Sequence, residues 1–211
     1  PKVKEGEPTP PPAYEVLATS VNVIARAEAP LPLGVTDNVK VELDTRLDNR
    51  FLDLRRAHVN AMFRLRGKVL QFGREHLIEE GFIETHTPKI VATATEGGAD
   101  LFPMQYFDRP AFLNQSPQLF KQLCMSGGLE RVFEIGPAFR AEKSDTYRHL
   151  AEFISFDIEC SWANDDDVMG VLERMLHHIW KSVAEEAESQ SLIAIINEFR
   201  AEQGEETVEV I

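Results

Sequence analysis

The sequence predicts an α+β fold, an antiparallel sheet flanked by helices. The first observation is a pair of extended runs, Arg131–Phe139 and Leu150–Trp162, joined by a stretch that ends in the seven-residue polar loop Lys143–His149. In the second run, alternation sets Leu150, Ile154, Phe156, Ile158, Cys160 and Trp162 apart from Ala151, Phe153, Ser155, Asp157, Glu159 and Ser161. Successive strand side chains point to opposite faces, so one set is a core face and the other a charged floor with an aromatic on it. The second observation is helical spacing on both sides. Val59, Met62, Phe63, Val69, Leu70, Leu77 and Ile78 recur upstream, and Val168, Val171, Leu172, Met175, Leu176, Ile179, Trp180 and Val183 downstream.

The remaining elements follow in chain order. Residues 1–13 carry Pro8, Pro10, Pro11 and Pro12 and read as an extended linker. Tyr14–Ala27 is rich in β-branched residues and reads as a strand, which needs partners to be stable. Pro30–Val41 is a proline-punctuated connector that leads through L-D-T-R-L-D-N-R-F-L-D-L-R-R into a helix over Ala57–Glu80, with Gly81 as its C-terminal stop. The string G-F-I-E-T-H-T-P-K-I is a short strand stopped by Pro88. Thr95–Phe102 is a glycine-centred loop between acids, and Met104–Phe107 and Ala111–Asn114 flank Asp108-Arg109-Pro110 as a hairpin. Ser116 suits an N-cap and Pro117 a first helical position, so Gln118 and Lys121 share a helix face. Gly127-Gly128 ends that helix. Asn164 and three aspartates introduce the last periodic helix, acids being favourable at its N-terminus. Ser191–Ile211 is acidic and poorly periodic apart from Leu192–Ile196, and no role is assigned to it.

A hydrophobic content of 43% and a charged content of 27% are ordinary for a soluble globular protein. No apolar run is long enough to span a membrane and no secretory signal pattern is present, so a cytoplasmic location is expected. Opening at Pro1 rather than Met is what a piece of a longer chain would show. The net charge of −13 argues against generic nucleic-acid binding. The charge is uneven, however: residues 46–74 hold eight Arg and Lys against two acids, a stretch suited either to phosphates or to a solvated helix face. Cys124 and Cys160 lack metal-ligand spacing and read as buried free thiols, and adjacent His177 and His178 point to different sides.

Arg140 and Glu142 lie two apart, so an extended chain points both the same way, toward the charged floor. Two readings fit. Arg140 pairs with Asp157 or Glu159 on an exposed face. Alternatively, the floor is a nucleotide site in which Arg140 grips a phosphate, Glu142 accepts from an exocyclic amine and Phe153 stacks on a base.

F-R-A-E at Phe139–Glu142, then Arg148-His149, then the acid-bearing strand, resembles the second signature motif of class II aminoacyl-tRNA synthetases. The similarity extends over nearly the whole chain and is greatest to the aspartyl-tRNA synthetases of archaeal and eukaryotic type. It implies a class II sheet built in part by this chain. Residues 1–29 would be a linker and the last strand of an anticodon-binding OB-fold, 30–45 a connector, and 46–211 the N-terminal part of the catalytic domain. It also implies ATP-dependent activation of L-aspartate to aspartyl-adenylate and transfer to tRNA(Asp), with tRNA(Asn) left open, by a homodimer that has Pro88 at its interface. Arg140, Glu142, His149 and Phe153 would bind ATP, with Arg140 the catalytic charge stabiliser. Glu96, Ser116, Gln118, Lys121 and Asp157 would bind aspartate. The string Q-S-P-Q-L-F-K-Q carries most of this specificity, since a lysine in the pocket suits a carboxylate and leaves a buried charge unpaired against an amide.

One departure limits the expectation. The family's third motif, a glycine-rich segment ending in Glu-Arg, has no match after Trp162, where Gly170 and Gly204 stand alone. The Mg²⁺ ligands are likewise expected outside this chain, and the 211 residues alone are expected to be inactive. Two other functions fit the same residues. One is a non-catalytic aspartyl-adenylate-binding or dimerisation module; the other is a related asparagine synthetase, against which the strand at Tyr14–Ala27 argues.

Overall fold

The computed structural model describes residues 17–36, 40–93, 101–144, 146 and 148–210. In chain order the elements are α1 (Leu43–Asp48), α2 (Arg50–Asp53), α3 (Ala57–Glu79), β1 (Ile83–Glu84), β2 (Ile90–Val91), β3 (Pro103–Tyr106), β4 (Arg109–Leu113), α4 (Gln118–Ser126), β5 (Arg131–Phe139), β6 (Glu152–Cys160), α5 (Asp165–Glu185) and α6 (Ala187–Glu202). The two alternating runs pair antiparallel without interruption from Arg131↔Cys160 to Phe139↔Glu152. β1 joins the far edge of β5 in parallel, giving the order β1-β5-β6, so the sheet carries one parallel pair. A second sheet, β2-β4-β3, is antiparallel throughout.

Helix α3 contacts β1 and β5, α5 and α6 pack on α3 and send side chains into the same core, and α4 contacts β5 and β6. The core joins Phe72 and Leu77 of α3, Phe133 of β5, Val171, Met175, Ile179 and Val183 of α5 and Ile193 of α6, with Phe156 and Ile158 of β6 packed against it. Close approach is built into the sequence. A Cβ on Gly73 would lie 2.7 Å from the Phe156 ring. The stop after α3 also forms as read: Gly81 adopts φ +83, with Gly81 N–H donating to Ile78 O and Phe82 N–H to Leu77 O. These two bonds satisfy carbonyls that a helix end leaves bare. At α5, Asn164 and Asp167 each accept the other's backbone N–H at 3.0 Å, a capping box.

Several expectations are corrected. Only half of the α5 stripe is buried: Val171, Met175, Ile179 and Val183 are covered, whereas Leu172, Leu176 and Trp180 are exposed. α3 and α6 cover a face only one residue row wide. Residues 191–202 are helical as the second part of α6. That helix buries only Ser189, Leu192 and Ile193, and its apolar residues cluster in Leu192–Ile196 instead of recurring along it; it is tied to α3 by Lys68 and Arg64 on Glu186 and Glu188. The hairpin turns at Phe107-Asp108, with Tyr106 opposite Arg109, so Arg109 and Pro110 belong to the strand. Leu150 and Trp162 fall beyond the ends of β6 and are exposed rather than core-facing.

The basic stretch is largely structural. Asp53 is fully buried and receives Arg46 at 2.8 Å and Arg50 at 2.5 Å, with Arg56 at 3.8 Å. Burial alone would raise the Asp53 pKa, but the hydrogen bond from Arg46 and the three guanidinium charges outweigh it and hold the carboxyl below its usual range. Arg64 and Lys68 serve α6, and Arg74 pairs with Glu84. Residues 17–27, the described part of the expected N-terminal strand, form no strand, and Leu17, Val21, Val23 and Ile24 are exposed. A strand needs an edge to pair with, and no element lies beside this one among the described residues. Among those residues no helix is long and apolar enough to cross a membrane.

Candidate active site

The β5–β6 ladder sorts residues by face. Phe133 pairs with Ile158 and Ile135 with Phe156 on the core side, so Glu134 with Asp157, Gly136 with Ser155 and Ala138 with Phe153 lie on the other. The segment leading into α4 faces this second side, and between them lies a cavity of about 310 Å³. Ser116, Gln118, Arg140, Phe153, Asp157 and Glu159 are among its lining residues. Five of the sequence-predicted site residues therefore converge on one cavity.

Lys121, the sixth, is fully buried beside it. Its ammonium donates to Asp157 Oδ1, to Ile158 O at 3.0 Å and to Glu159 Oε2 at 3.3 Å. α4 begins one residue later than read, with Pro117 in the cap position, and the Ser116 hydroxyl accepts from Gln118 N–H at 3.2 Å. That bond turns the start of α4 toward the floor and leaves Gln118 exposed at the cavity mouth.

Arg140 follows the last residue of β5, fixed by its N–H donating to Ala151 O at 3.0 Å. Its guanidinium lies 5.3 Å from the Phe153 ring centroid, and its buried Nε has no hydrogen-bond partner. It forms no ion pair with Asp157 or Glu159, whose partner is Lys121. The acids of the floor are thus ion-paired, but through Lys121 rather than through Arg140. A cation with an unmet donor beside an aromatic ring suits an anion attached to a planar base.

Glu142, His149 and Pro88 stand apart from the cavity. The chain bends after Arg140, with Glu142 N–H donating to Arg140 O at 2.8 Å, so the shared direction expected of Arg140 and Glu142 is lost and Glu142 is exposed. His149 is exposed too, its Nδ1 2.7 Å from Thr146 Oγ1. Pro88 is exposed just ahead of β2. Glu96 lies outside the described residues.

Sequence reasoning missed the supports. Asn114 is 1% exposed. It donates from Nδ2 to Pro88 O and from N to Lys89 O, and accepts from Ser116 N–H at its side chain and Phe139 N–H at its carbonyl. It thus ties the Pro88 segment to both walls of the cavity. Glu134, also 1% exposed, accepts Thr87 N–H at 3.0 Å and the Lys89 ammonium. The one available signal was an acid in the otherwise apolar run V-F-E-I-G-P-A-F at 132–139.

A slightly larger cavity, about 360 Å³, lies at the start of α5. Its cations are already committed: Arg174 and Arg131 both bind Glu80. Cys160 beside it is half-buried, and burial pushes its thiol pKa up, away from a reactive thiolate. Among the described residues no three metal-ligating side chains converge. With Asp157 and Glu159 turned to Lys121 and Glu134 to Lys89, the acids of this floor do not fit a divalent ion.

Comparison with known proteins gives the family. Residues 42–209 match the family described as tRNA synthetases class II (D, K and N). The chain is 58% identical over 178 residues to an aspartate–tRNA(Asp/Asn) ligase of Archaeoglobus fulgidus, covering 84% of this chain and 41% of that protein. It is 60% identical over 159 residues to an aspartate–tRNA(Asp) ligase of Picrophilus torridus, covering 75% and 38%. Among solved structures, an asparaginyl-tRNA synthetase of Pyrococcus horikoshii complexed with asparaginyl-adenylate superimposes with a TM-score of 0.69 at 35% identity, covering 74% of this chain and 35% of that one. The chain spans about two-fifths of the length of the curated relatives it matches.

Proposed function

Because this chain belongs to the class II tRNA synthetases of the D, K and N group, we propose that it carries the aspartate- and ATP-binding part of an aspartate–tRNA ligase. The observation that supports this best is the layout of β6. One face holds Phe153 at one end and Asp157 and Glu159, backed by buried Lys121, at the other. Four strand residues span about 13 Å, a separation suited to an aminoacyl group joined through a phosphate to a base.

In this reading the α-carboxylate of L-aspartate attacks the α-phosphorus of ATP. A C–O–P bond forms, the bond to the bridging oxygen breaks, and pyrophosphate leaves with the electron pair. The carboxylate is already ionised near neutral pH, so no base is needed, and catalysis rests on position and charge. Arg140 offers its unmet donor to the α-phosphate, and Phe153 stacks on adenine. Lys121 takes the side-chain carboxylate and Asp157 the ammonium, with Ser116 and Gln118 closing that end. Glu142 and His149 serve the nucleotide from beyond the cavity wall, and Glu96 the ammonium, on the strength of the family resemblance. Mg²⁺ ligands and a second phosphate-binding arginine are assigned to the rest of such a ligase. Transfer to tRNA(Asp) follows in the cytoplasm. Pro88 would lie at the interface of a homodimer, and the exposed apolar segment at 17–27 would become the last strand of an OB-fold when paired with that domain's other strands.

Calorimetric titration of this chain with a non-hydrolysable aspartyl-sulfamoyl adenosine tests the reading. Saturable binding, weaker for the asparaginyl counterpart, is expected. No binding of either would overturn it.

A further inference from the structure

Lys121 and Asp157 have separate duties toward the amino acid in the reading above, yet in this structure they hold each other. The three N–H donors of the ammonium are all engaged, by Asp157 Oδ1, Ile158 O and Glu159 Oε2. Lys121 has no exposed surface, whereas the side chains of Asp157 and Glu159 are 27% and 22% exposed. A ligand in the cavity therefore meets two carboxylates first and reaches the cation only if one of them gives way.

We propose that Asp157 is a built-in competitor for Lys121, standing where the substrate's side-chain carboxylate is to bind and yielding by an exchange of partners. The inference rests on the reading given under Proposed function. Ile158 O is a backbone group of a residue held opposite Phe133 in the strand ladder, so it cannot turn aside without disturbing that pairing. Glu159, if it left, has no cation assigned to it in that reading. Asp157 does find one, because the amino acid brings its own ammonium. One ion pair, Lys121–Asp157, becomes two, Lys121–carboxylate and Asp157–ammonium, while Glu159 and Ile158 O steady the lysine. A ligand with only half of this equipment gains far less. An amide side chain gives Lys121 no charge for the one it surrenders. A carboxylate without an ammonium leaves Asp157 displaced and unpaired, which is costly in a partly desolvated site. Asp157 thereby makes recognition of the two ends of the substrate conditional on each other.

The decisive ligand is succinyl-sulfamoyl adenosine, which keeps the side-chain carboxylate and lacks the ammonium. Its affinity is measured for this chain and for Asp157→Asn, whose fold is checked by circular dichroism. Removing the competitor frees Lys121, so the variant is expected to bind the succinyl compound at least tenfold more tightly than the wild type, while the aspartyl compound gains no such advantage. Unchanged or weaker succinyl binding would overturn the inference, since a residue that served only the ammonium or only the fold would produce that result. If the variant does not fold, the carboxyl ¹³C resonance of Asp157 in the wild type decides. It is expected to shift on adding the aspartyl compound, and a bound complex with that resonance unmoved overturns the inference alone. Failure of the wild-type chain to bind the aspartyl compound at all would instead overturn the functional reading beneath it.

Discussion

Gly136→Ala separates what holds the site from what lines it. A Cβ at this position would lie 2.7 Å from Glu134 Oε1, closer than any ordinary contact, so the carboxylate must move. It is not free to do so cheaply, because Glu134 is buried and accepts both Thr87 N–H at 3.0 Å and the Lys89 ammonium. Stranding the buried N–H from a charged acceptor costs about 2 kcal/mol. Losing the pair with Lys89, whose side chain is 24% exposed, adds about 1 kcal/mol. The expected total of about 3 kcal/mol corresponds to a fall in Tm of about 6–12 °C for a domain of this size. Thermal and urea unfolding measure it, and a double-mutant cycle tests the cause. In a Glu134→Ala background, Gly136→Ala has nothing to displace and its effect should shrink to within about 0.5 kcal/mol of zero. A loss as large in that background as in the wild type would refute the reasoning, and so would an unchanged Tm in the single variant.

Other outcomes are expected from the same geometry. Lys121→Ala should abolish the preference for aspartyl over asparaginyl adenylate analogues in titrations, and an undiminished preference would remove Lys121 from the specificity site. Arg140→Ala, in a complete ligase carrying this chain, should slow aspartate-dependent pyrophosphate exchange by at least ~100-fold, the effect of one preorganised charge stabiliser; a near-normal rate would leave Arg140 without a catalytic role. Acid should destabilise the fold through Asp53, Glu80, Glu186 and Glu188. The Asp53 carboxyl is held low by its arginines against the opposing effect of burial, Glu80 by Arg174, Glu186 by Lys68 and Ser189, and Glu188 by Lys68 and Arg64. A lowered folded pKa stabilises above the unfolded value and is lost as pH falls through the folded one. Urea midpoints should therefore drop from about pH 5 downward, and Asp53→Asn should flatten part of that slope.

Much of this was legible because period and stop signals agree locally. The alternation in Leu150–Trp162 separated core from floor, Gly81 marked the end of α3, and Ser116-Pro117 marked the start of α4 to within one residue. The unread parts depend on contacts between distant residues. Nothing in the order of residues 46–74 shows that Asp53 gathers three arginines, so that part of the stretch is neither a phosphate surface nor a solvated helix face but a hub around a buried acid. α6 hides because it docks through two acids on α3 as much as through leucine and isoleucine. Glu142 was misjudged because two-residue spacing fixes direction only while the chain stays extended, and it bends at Arg140. Asn114 has no motif of its own; its role comes from bonds to Pro88, Lys89, Ser116 and Phe139.

The unbroken ladder between β5 and β6 also limits how such a protein can change. Its two strands act as a reading frame: inserting or deleting a single residue within β6 would turn Phe156 and Ile158 into the cavity and bury Asp157 and Glu159 among the helices. Both chemistry and folding would be lost in one step. Residue exchange is thus the route by which this floor can acquire a new substrate, whereas length is free to vary only past the ends of the ladder, in the loop between Arg140 and Ala151 and at the corner before α5. Relatives with altered amino-acid preference should keep these nine pairs in step and differ in what the floor positions carry.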